Sequence, residues 1–477
     1  MKSFSWEKFP ALFLFASLLS GALCSIGIVY PVLFAFTHKK RSFIIGYIFL
    51  SLFTSLLFIA NKNNSLGSKE LVTAYITPKN LKKSNGKLYL SAHIPYLKTD
   101  SLKELENISC IIPLEKKDRP VFNQDFIVKG TLKASSFGYF LQPKVWEKVP
   151  STYSLTEKRY GWKKSAKELI KRKTSDQDVR AYFTALVTSN ISDAFLKERF
   201  KAAGVLHTLA ISGFHFSWII FIFSIPLSLL FPKKWSLLLL LVCAWGYFFF
   251  LGPSASISRA FLAISIYLIS ILISAVPLPL NALGFAGILS MLIDPYSIFD
   301  IAFSLSYLAT FAILTLHSLI ASLTNTLCPK RCPKTLLLMP FFHKIAYFIL
   351  RTLLLGGILS TCIQIILLPI FFIYFPFLPL WGFFYNIYFP LSMIPTLILL
   401  LLSFIFPSLW RINEIYSKPF LESVLYGNGF AFLLVKLPYI HPQILSLATC
   451  LLIFFCLRQE QKHTEKRLLL QDEFILT

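Results

Sequence analysis

Long apolar runs on either side of one extended polar interval dominate the chain, and the period of each stretch predicts a different kind of element. Residues 11–37 are apolar and lead into His38, Lys39, Lys40 and Arg41, after which a second apolar run extends from about Phe43 to Ala60. Roughly 20 apolar residues span a hydrocarbon core as helix, so residues 1–60 are predicted to form N-terminal transmembrane helices. A cleaved signal peptide is the competing reading of the first run; its length, Pro31 and the second span directly behind it favour two retained helices. A larger block of apolar runs follows at 205–230, 235–251, 257–276, 279–293, 300–322, 346–374, 381–406 and 441–457. Glu422 and Lys436 interrupt the stretch 411–440, which leaves the parity of the last crossing open and the total at about nine to eleven helices. These runs lack the short alternating segments of an outer-membrane barrel.

Between Asn61 and about Pro150 the period drops to two. Leu88, Leu90, Ala92 and Ile94 alternate with Lys87, Tyr89, Ser91 and His93, and Phe126, Val128, Gly130 and Leu132 alternate with Ile127, Lys129, Thr131 and Lys133. Residues 61–150 are therefore expected to form a small antiparallel β domain with strands near 71–77, 87–95, 108–113, 125–133 and 138–143. Five short strands, one with an internal Gly, suit an OB-type barrel. The basic connector from Lys39 to Arg41 reads as cytoplasmic, which puts this domain on the opposite, extracytoplasmic side. Beyond it the pattern turns helical again: Lys163, Lys164, Lys167, Lys171, Arg172 and Lys173 precede Val179, Tyr182, Phe183 and Leu186. Residues 151–200 are expected to be basic amphipathic helices at the membrane interface. Residues 201–457 then form the main transmembrane domain, and 458–477 a cytoplasmic tail. The fold expected is a membrane all-α polytopic helical bundle with an inserted, extracytoplasmic, OB-like β-barrel.

Composition agrees and adds a charge problem. The chain is 55% hydrophobic and 15% charged, whereas a soluble domain carries roughly a quarter charged residues. Its 47 Lys and Arg against 23 Asp and Glu give a formal net charge of +24. The positive-inside bias and anionic headgroups account for basic loops on the cytoplasmic side. They do not account for 24 basic against 12 acidic residues between Asn61 and Arg180, an excess that would suit a polyanionic partner. The eight Cys, including Cys328 and Cys332, form no readable disulfide framework or zinc spacing. No metal and no cofactor is expected.

Polar groups inside the spans are the candidates for function. His207, Ser212, Gly213 and His215 crowd the start of one run; on a continuous helix His207 and His215 would lie about 80° apart and Ser212 about 60° from His215. Buried, satisfied histidines are the plain reading. A Ser212 nucleophile with a His base is another, although no Asp or Glu stands nearby in sequence to orient the imidazole. Gly204 and Gly213 would permit a break or a close backbone approach. Arg259 opens a span otherwise free of charge and would either snorkel to headgroups or line a polar path. Asp294-Pro295 and Asp300 bracket a turn and are expected as structural caps. Gln364, Asn386 and Pro369, Pro376, Pro379, Pro390 and Pro395 mark helices expected to be broken or kinked, which is tolerated only against protein or a wet cavity.

The stretch Lys201-Ala-Ala-Gly204-Val-Leu-His207-Thr-Leu-Ala210-Ile211-Ser212-Gly213-Phe-His215 resembles the signature of the ComEC-type competence protein family. Gly252 through Arg259-Ala260, Asp294-Pro295 through Asp300 to Phe303-Ser304-Leu305-Ser306-Tyr307-Leu308-Ala309, and then Gln364, Pro369, Phe375, Asn386 and Pro390 keep that family's order. The chain departs from the family's pattern at Thr208, Ala302 and Ser304 and near Thr188. The resemblance implies an inner-membrane channel for uptake of single-stranded DNA in natural transformation, not an enzyme, with residues 201–457 as the channel domain. It implies a DNA path along His207, Ser212, Gly213, His215, Arg259, Gln364 and Asn386. The eight His, at 38, 93, 207, 215, 317, 343, 441 and 463, give no H-x-H-x-D-H cluster, so the form expected is one lacking the family's C-terminal metallo-β-lactamase-like domain.

Inward movement of DNA carries phosphates towards the negative side of the membrane potential, at about 2.3 kcal/mol per charge per 100 mV. The sequence has no G-x-x-x-x-G-K-[ST] phosphate loop. A cytoplasmic ATP-driven translocase and single-strand-binding proteins are therefore expected as partners, with a periplasmic or extracellular DNA receptor, the lipid bilayer and, for a homo-oligomer, further copies of the chain. Lys129, Lys133, Tyr139 and Phe140 are candidates for DNA capture by the β domain, because a basic groove tracks a strand while aromatic faces accept any base. Two other readings stand beside this one: a secondary transporter or flippase for an anionic small molecule or lipid, and an intramembrane Ser/His hydrolase using Ser212.

Overall fold

In the computed structural model of the protein, the residues described are 9–24, 47–48, 50–52, 54–55, 70–84, 87–99, 104–114, 126–135, 138–148, 155–189, 191, 193–209, 213–252, 255–275, 278–293, 298, 300–375, 377–379, 382–425, 434–438 and 440–475. The expected connector from Lys39 to Arg41 lies outside them. The chain divides into two compact units, Leu57–Ser165 on one hand and Met1–Leu56 with Ala166–Thr477 on the other.

The first unit holds strands β1 (Glu70–Ser84), β2 (Lys87–Thr99), β3 (Glu104–Leu114), β4 (Phe126–Ser135) and β5 (Gly138–Lys148). They close a barrel in the order β1-β2-β3-β5-β4, antiparallel at every pair except β3 with β5. The period-two pattern is the cause. Val72, Ala74 and Ile76 of β1 and Phe126, Val128 and Leu132 of β4 point inward with Leu90, Cys110, Ile112 and Leu141, all buried. Trp146 closes one end, edge-on to Phe126 at 5.5 Å. The strands outrun the lengths the alternation predicts. β1 shifts register between Tyr75 and Thr77 and again between Pro78 and Asn80, so pairing continues past the points where the alternation fails.

The described helices are α1 (Pro10–Cys24), α2 (Leu155–Lys173), α3 (Gln177–Thr188), α4 (Ala194–Ala202), α5 (Leu206–Leu209), α6 (Gly213–Leu230), α7 (Lys233–Leu251), α8 (Ala255–Leu272), α9 (Pro279–Ile293), α10 (Ile301–Leu327), α11 (Pro333–Leu338), α12 (Phe341–Tyr374), α13 (Gly382–Ser403), α14 (Leu409–Leu425) and α15 (Pro442–Ile475). Six described stretches are long and apolar enough to cross a bilayer: Leu206–Leu230, Lys233–Leu251, Ile301–Leu327, Phe341–Tyr374, Phe384–Ser403 and Gln443–Gln461. Pro10–Ser20, Ser256–Leu272 and Pro279–Leu292 are shorter apolar helices. The protein is a polytopic helical membrane protein.

Two features of this unit differ from the sequence pattern. The apolar stripe of α3 is covered by protein instead of standing open at the interface: Tyr182 meets Phe389 of α13 edge-on at 6.1 Å, and Phe183 lies 6.3 Å from Trp410 of α14. Such a stripe buries equally well against lipid or protein, and its spacing does not distinguish them. Of the breaks or kinks expected at prolines, no break falls at Pro369 in α12 or at Pro390 and Pro395 in α13, where the backbone stays helical. The interruption falls between α12 and α13, where Pro379 belongs to strand β6 (Phe377–Pro379), paired with β7 (Leu434–Lys436).

Candidate functional site

The site is assembled where α6 meets α8 and α8 meets α10, with α4 and α5 leading into α6. Gly204 stops α4: at φ 75° it takes the left-handed conformation that favours glycine, its N–H bonds the Lys201 carbonyl at 3.1 Å, and Val205 N–H bonds that of Phe200 at 2.9 Å. His207 follows on the four-residue α5 and is exposed. His215, 1% exposed, lies in the first turn of α6 within electrostatic reach of His207. Ser212 lies outside the described residues.

Arg259, one turn into α8, is only 9% exposed. Its Nε donates to Ser306 Oγ at 2.8 Å and its Nη1 to Thr310 Oγ1. Ser306 and Thr310 are four residues apart on α10 and so present two acceptors on one face. The guanidinium carbon lies 5.9 Å from the centre of the Tyr307 ring, a cation–π distance. That ring is fixed by stacking on Phe303 at 4.1 Å and by a 3.1 Å hydrogen bond between its hydroxyl and Ser290 of α9.

Ser306 in turn donates to Ser256 Oγ at 3.2 Å, and Gly213 N–H, at the start of α6, donates to the same oxygen at 3.2 Å. Gly213 lets the guanidinium come close: a Cβ there would lie 2.6 Å from Arg259 Nη2 and would displace the end of that side chain. Among the described residues no carboxylate lies within ion-pair distance of Arg259. Of the residues singled out by sequence, Gly213 and Arg259 are therefore brought into contact, with His215 half a turn along.

The others are placed elsewhere. Gln364 on α12 donates locally to Ser360 at 3.1 Å. Asn386 on α13 has a buried side-chain oxygen with no hydrogen-bond partner among the described residues. Neither joins the Arg259 network. Asp300 is exposed and occupies the N-cap position of α10 without a side-chain cap bond, while Asp294 and Pro295 lie outside the described residues. A cleft of about 420 Å³ between α12 and α15 is lined by apolar side chains, Ile365, Pro369, Phe372, Leu445 and Leu451 among them.

In the barrel, Lys129 and Lys133 are both on the outer face of β4. Lys133 stands directly opposite Phe140, and Tyr139 pairs with Ala134. Lys129 is 3.7 Å from Glu147, both being exposed, so part of its charge is already answered by a carboxylate.

One polar cluster has no counterpart among the residues singled out by sequence. Glu414 of α14, with a side chain 5% exposed, accepts at Oε1 from Ser175 N (3.0 Å), Ser175 Oγ (2.6 Å) and Asp176 N (2.7 Å). Asp176 caps α3 by accepting from Asp178 N and Val179 N, and pairs with Lys418 of α14 at 3.0 Å. Arg411 bonds both Glu414 and Ser175, at 3.3 and 3.0 Å. Burial works against ionisation of Glu414, but these donors outweigh it and hold its carboxyl below the ordinary range. The cluster bolts α14, which lies outside the bilayer-crossing stretches, to the start of α3.

Residues 187–462 match the family model described as Competence protein. No curated protein and no solved structure matches the chain. The match takes in His207, Gly213, His215, Arg259, Ser306, Tyr307, Gln364, Asn386 and Glu414 and leaves the β-barrel outside it.

Proposed function

Because the chain belongs to the competence protein family, and so has a role in DNA uptake, we propose that it forms the inner-membrane channel through which single-stranded DNA passes in natural transformation. The observation that carries this reading is Arg259: a guanidinium held by hydroxyls, with no described carboxylate beside it, at the meeting of membrane helices inside the family-matched segment. A buried cation without a fixed counter-charge is costly unless an anion visits it. The hydroxyls of Ser256, Ser306 and Thr310 are neutral, so the local field stays positive.

The barrel supplies the second half of the reading. Its closed five-stranded order, with β3 and β5 parallel, supports an OB-like domain. We take it as extracytoplasmic, capturing the strand through the Lys133 and Phe140 pair, with Lys129 weaker because of Glu147. The chain acts as a conduit and not as an enzyme. Direction comes from a cytoplasmic ATP-driven translocase and from single-strand-binding proteins, and a receptor outside the membrane delivers the DNA. The test is a deletion strain assayed for fluorescent single-stranded product in the cytoplasm, complemented with wild type, Arg259→Ala and His207→Ala. The reading expects loss in the deletion and poor rescue by both variants; normal internalisation in the deletion strain would end it.

A further inference from the structure

The hydrogen bonds around Arg259 run in one direction. Arg259 Nε donates to Ser306 Oγ, and Ser306 donates to Ser256 Oγ, which also accepts from Gly213 N–H. Ser256 Oγ has therefore used its acceptor capacity and retains its proton. Among the described residues that proton has no acceptor, and neither have the two N–H bonds of Arg259 Nη2. A chain of hydroxyls polarised from a guanidinium strengthens its terminal donor.

These free donors stand where α6 and α8 approach one another: the bond from Gly213 N–H of α6 to Ser256 of α8 ties the two together at 3.2 Å. Arg259, nine-tenths buried, contributes a whole positive charge, and its Nη2 lies against Gly213. A buried positive charge with unspent donors beside it calls for an acceptor-only anion.

We propose that Arg259 Nη2 and Ser256 Oγ form a seat for one phosphodiester monoanion. The seat is blind to bases, since every donor in it addresses phosphate oxygen. The guanidinium is held in place, with Nε tethered to Ser306 and Nη1 to Thr310, leaving Nη2 to face the ligand. The phosphodiester belongs to a DNA strand or to a lipid headgroup, and in the strand form the seat deepens the channel reading above and rests on it. As an anion site it stands on geometry alone.

The experiment uses the purified full chain in phosphatidylcholine nanodiscs, with fluorescent oligothymidylate and its uncharged methylphosphonate analogue as probes. Wild type is expected to prefer the phosphodiester strand, and Arg259→Gln to lose about 10- to 100-fold of that preference, the worth of a charge-assisted bond. Gly213→Ala keeps the charge but pushes Nη2 out of place, and is expected to lose preference in the same direction. Exposed Lys234→Ala is expected to change little. An equal preference in wild type, Arg259→Gln and Gly213→Ala, all folded by size-exclusion chromatography, overturns the seat. If phosphatidylglycerol in the discs competes with the strand in wild type but not in Arg259→Gln, the seat stands and its occupant is the headgroup. Loss of preference in Arg259→Gln together with normal internalisation in the deletion strain would keep the seat and remove the channel.

Discussion

Replacing Glu414 with Ala removes one acceptor and strands three donors. Ser175 N, Ser175 Oγ and Asp176 N all point at its Oε1, within 3.0 Å, and Arg411 loses its partner at 3.3 Å. Hydrogen bonds to a charged group contribute about 1.5–3 kcal/mol each, but they are not additive. Breaking a buried charged network by deleting one member costs about 3–5 kcal/mol, which is the loss expected for Glu414→Ala. Glu414→Gln keeps the shape and one carbonyl oxygen, so about 1–2 kcal/mol is expected. The pH dependence follows from the sign of the shift. The folded carboxyl titrates below its unfolded value of about 4.3, so its stabilisation is complete above that value and is lost as pH falls through the lower, folded one. Glu414→Gln should shrink that acid limb to the part contributed by Asp176, whose carboxyl is also held low, against the effect of burial, by Lys418 and the N–H groups it caps. The assay is proteolysis of the full chain in nanodiscs against urea, with cleavage mapped between Thr174 and Val179, at several pH values. Variants within about 0.5 kcal/mol of wild type, or an unchanged acid limb in Glu414→Gln, would refute the reasoning.

Three further outcomes are expected. Burial pushes the Cys110 thiol in the barrel core up to about 12, so at pH 8 it should react with a disulfide reagent at least about 100-fold more slowly than exposed Cys332, comparable rates meaning that the barrel is open. If the barrel captures strands, Lys133→Ala should lower the salt dependence of oligothymidylate binding by about 0.7 in log–log slope, Lys129→Ala by less, and Glu147→Gln should tighten binding; three variants indistinguishable from wild type would leave the barrel without that role. Ser212→Ala should impair DNA internalisation no more than Arg259→Ala does, whereas a covalent adduct trapped at Ser212 would favour a hydrolase.

The barrel was legible because each strand declares itself within a few residues. Phe126, Val128 and Leu132 alternate inward without reference to any distant partner. Strand ends were less legible, since the bulges of β1 break the alternation but not the pairing. Arg259 stood out as a lone charge in an apolar run. Its partners did not, although Ser306 and Tyr307 lay in a stretch already singled out: Ser306 is 47 residues away in sequence, and Thr310 is one hydroxyl among many. Glu414 was the hardest. Its donors are 239 and 238 residues away, and the only local hint is that Asn413, Glu414 and Ser417 form a polar patch beside Trp410 and Leu421, all of them buried. A patch of that kind declares that a partner exists without declaring which.

The strength of the Arg259 seat limits what it can do for transport. Each phosphate carried inward works against about 2.3 kcal/mol per 100 mV. One or two charge-assisted bonds offset a similar amount, about 1.5–3 kcal/mol apiece, and must be given back when the phosphate leaves. A binding site therefore lowers the barrier at one point of a path but does no net work. Several such bonds in one rigid cage would stall a strand, because conduction needs sites that release as readily as they bind. The geometry meets that requirement: one N–H each of Nε and Nη1 is spent on Ser306 and Thr310, so only part of the guanidinium's donor set is left for a ligand. In a conduit, then, Arg259→Lys should slow internalisation, since the ammonium cannot hold both tethers and reach the seat at once. It should leave the dependence on a cytoplasmic motor unchanged, because the driving force never resided in this residue. A variant that abolished that dependence would place the motor function inside the chain and contradict the whole assignment of work.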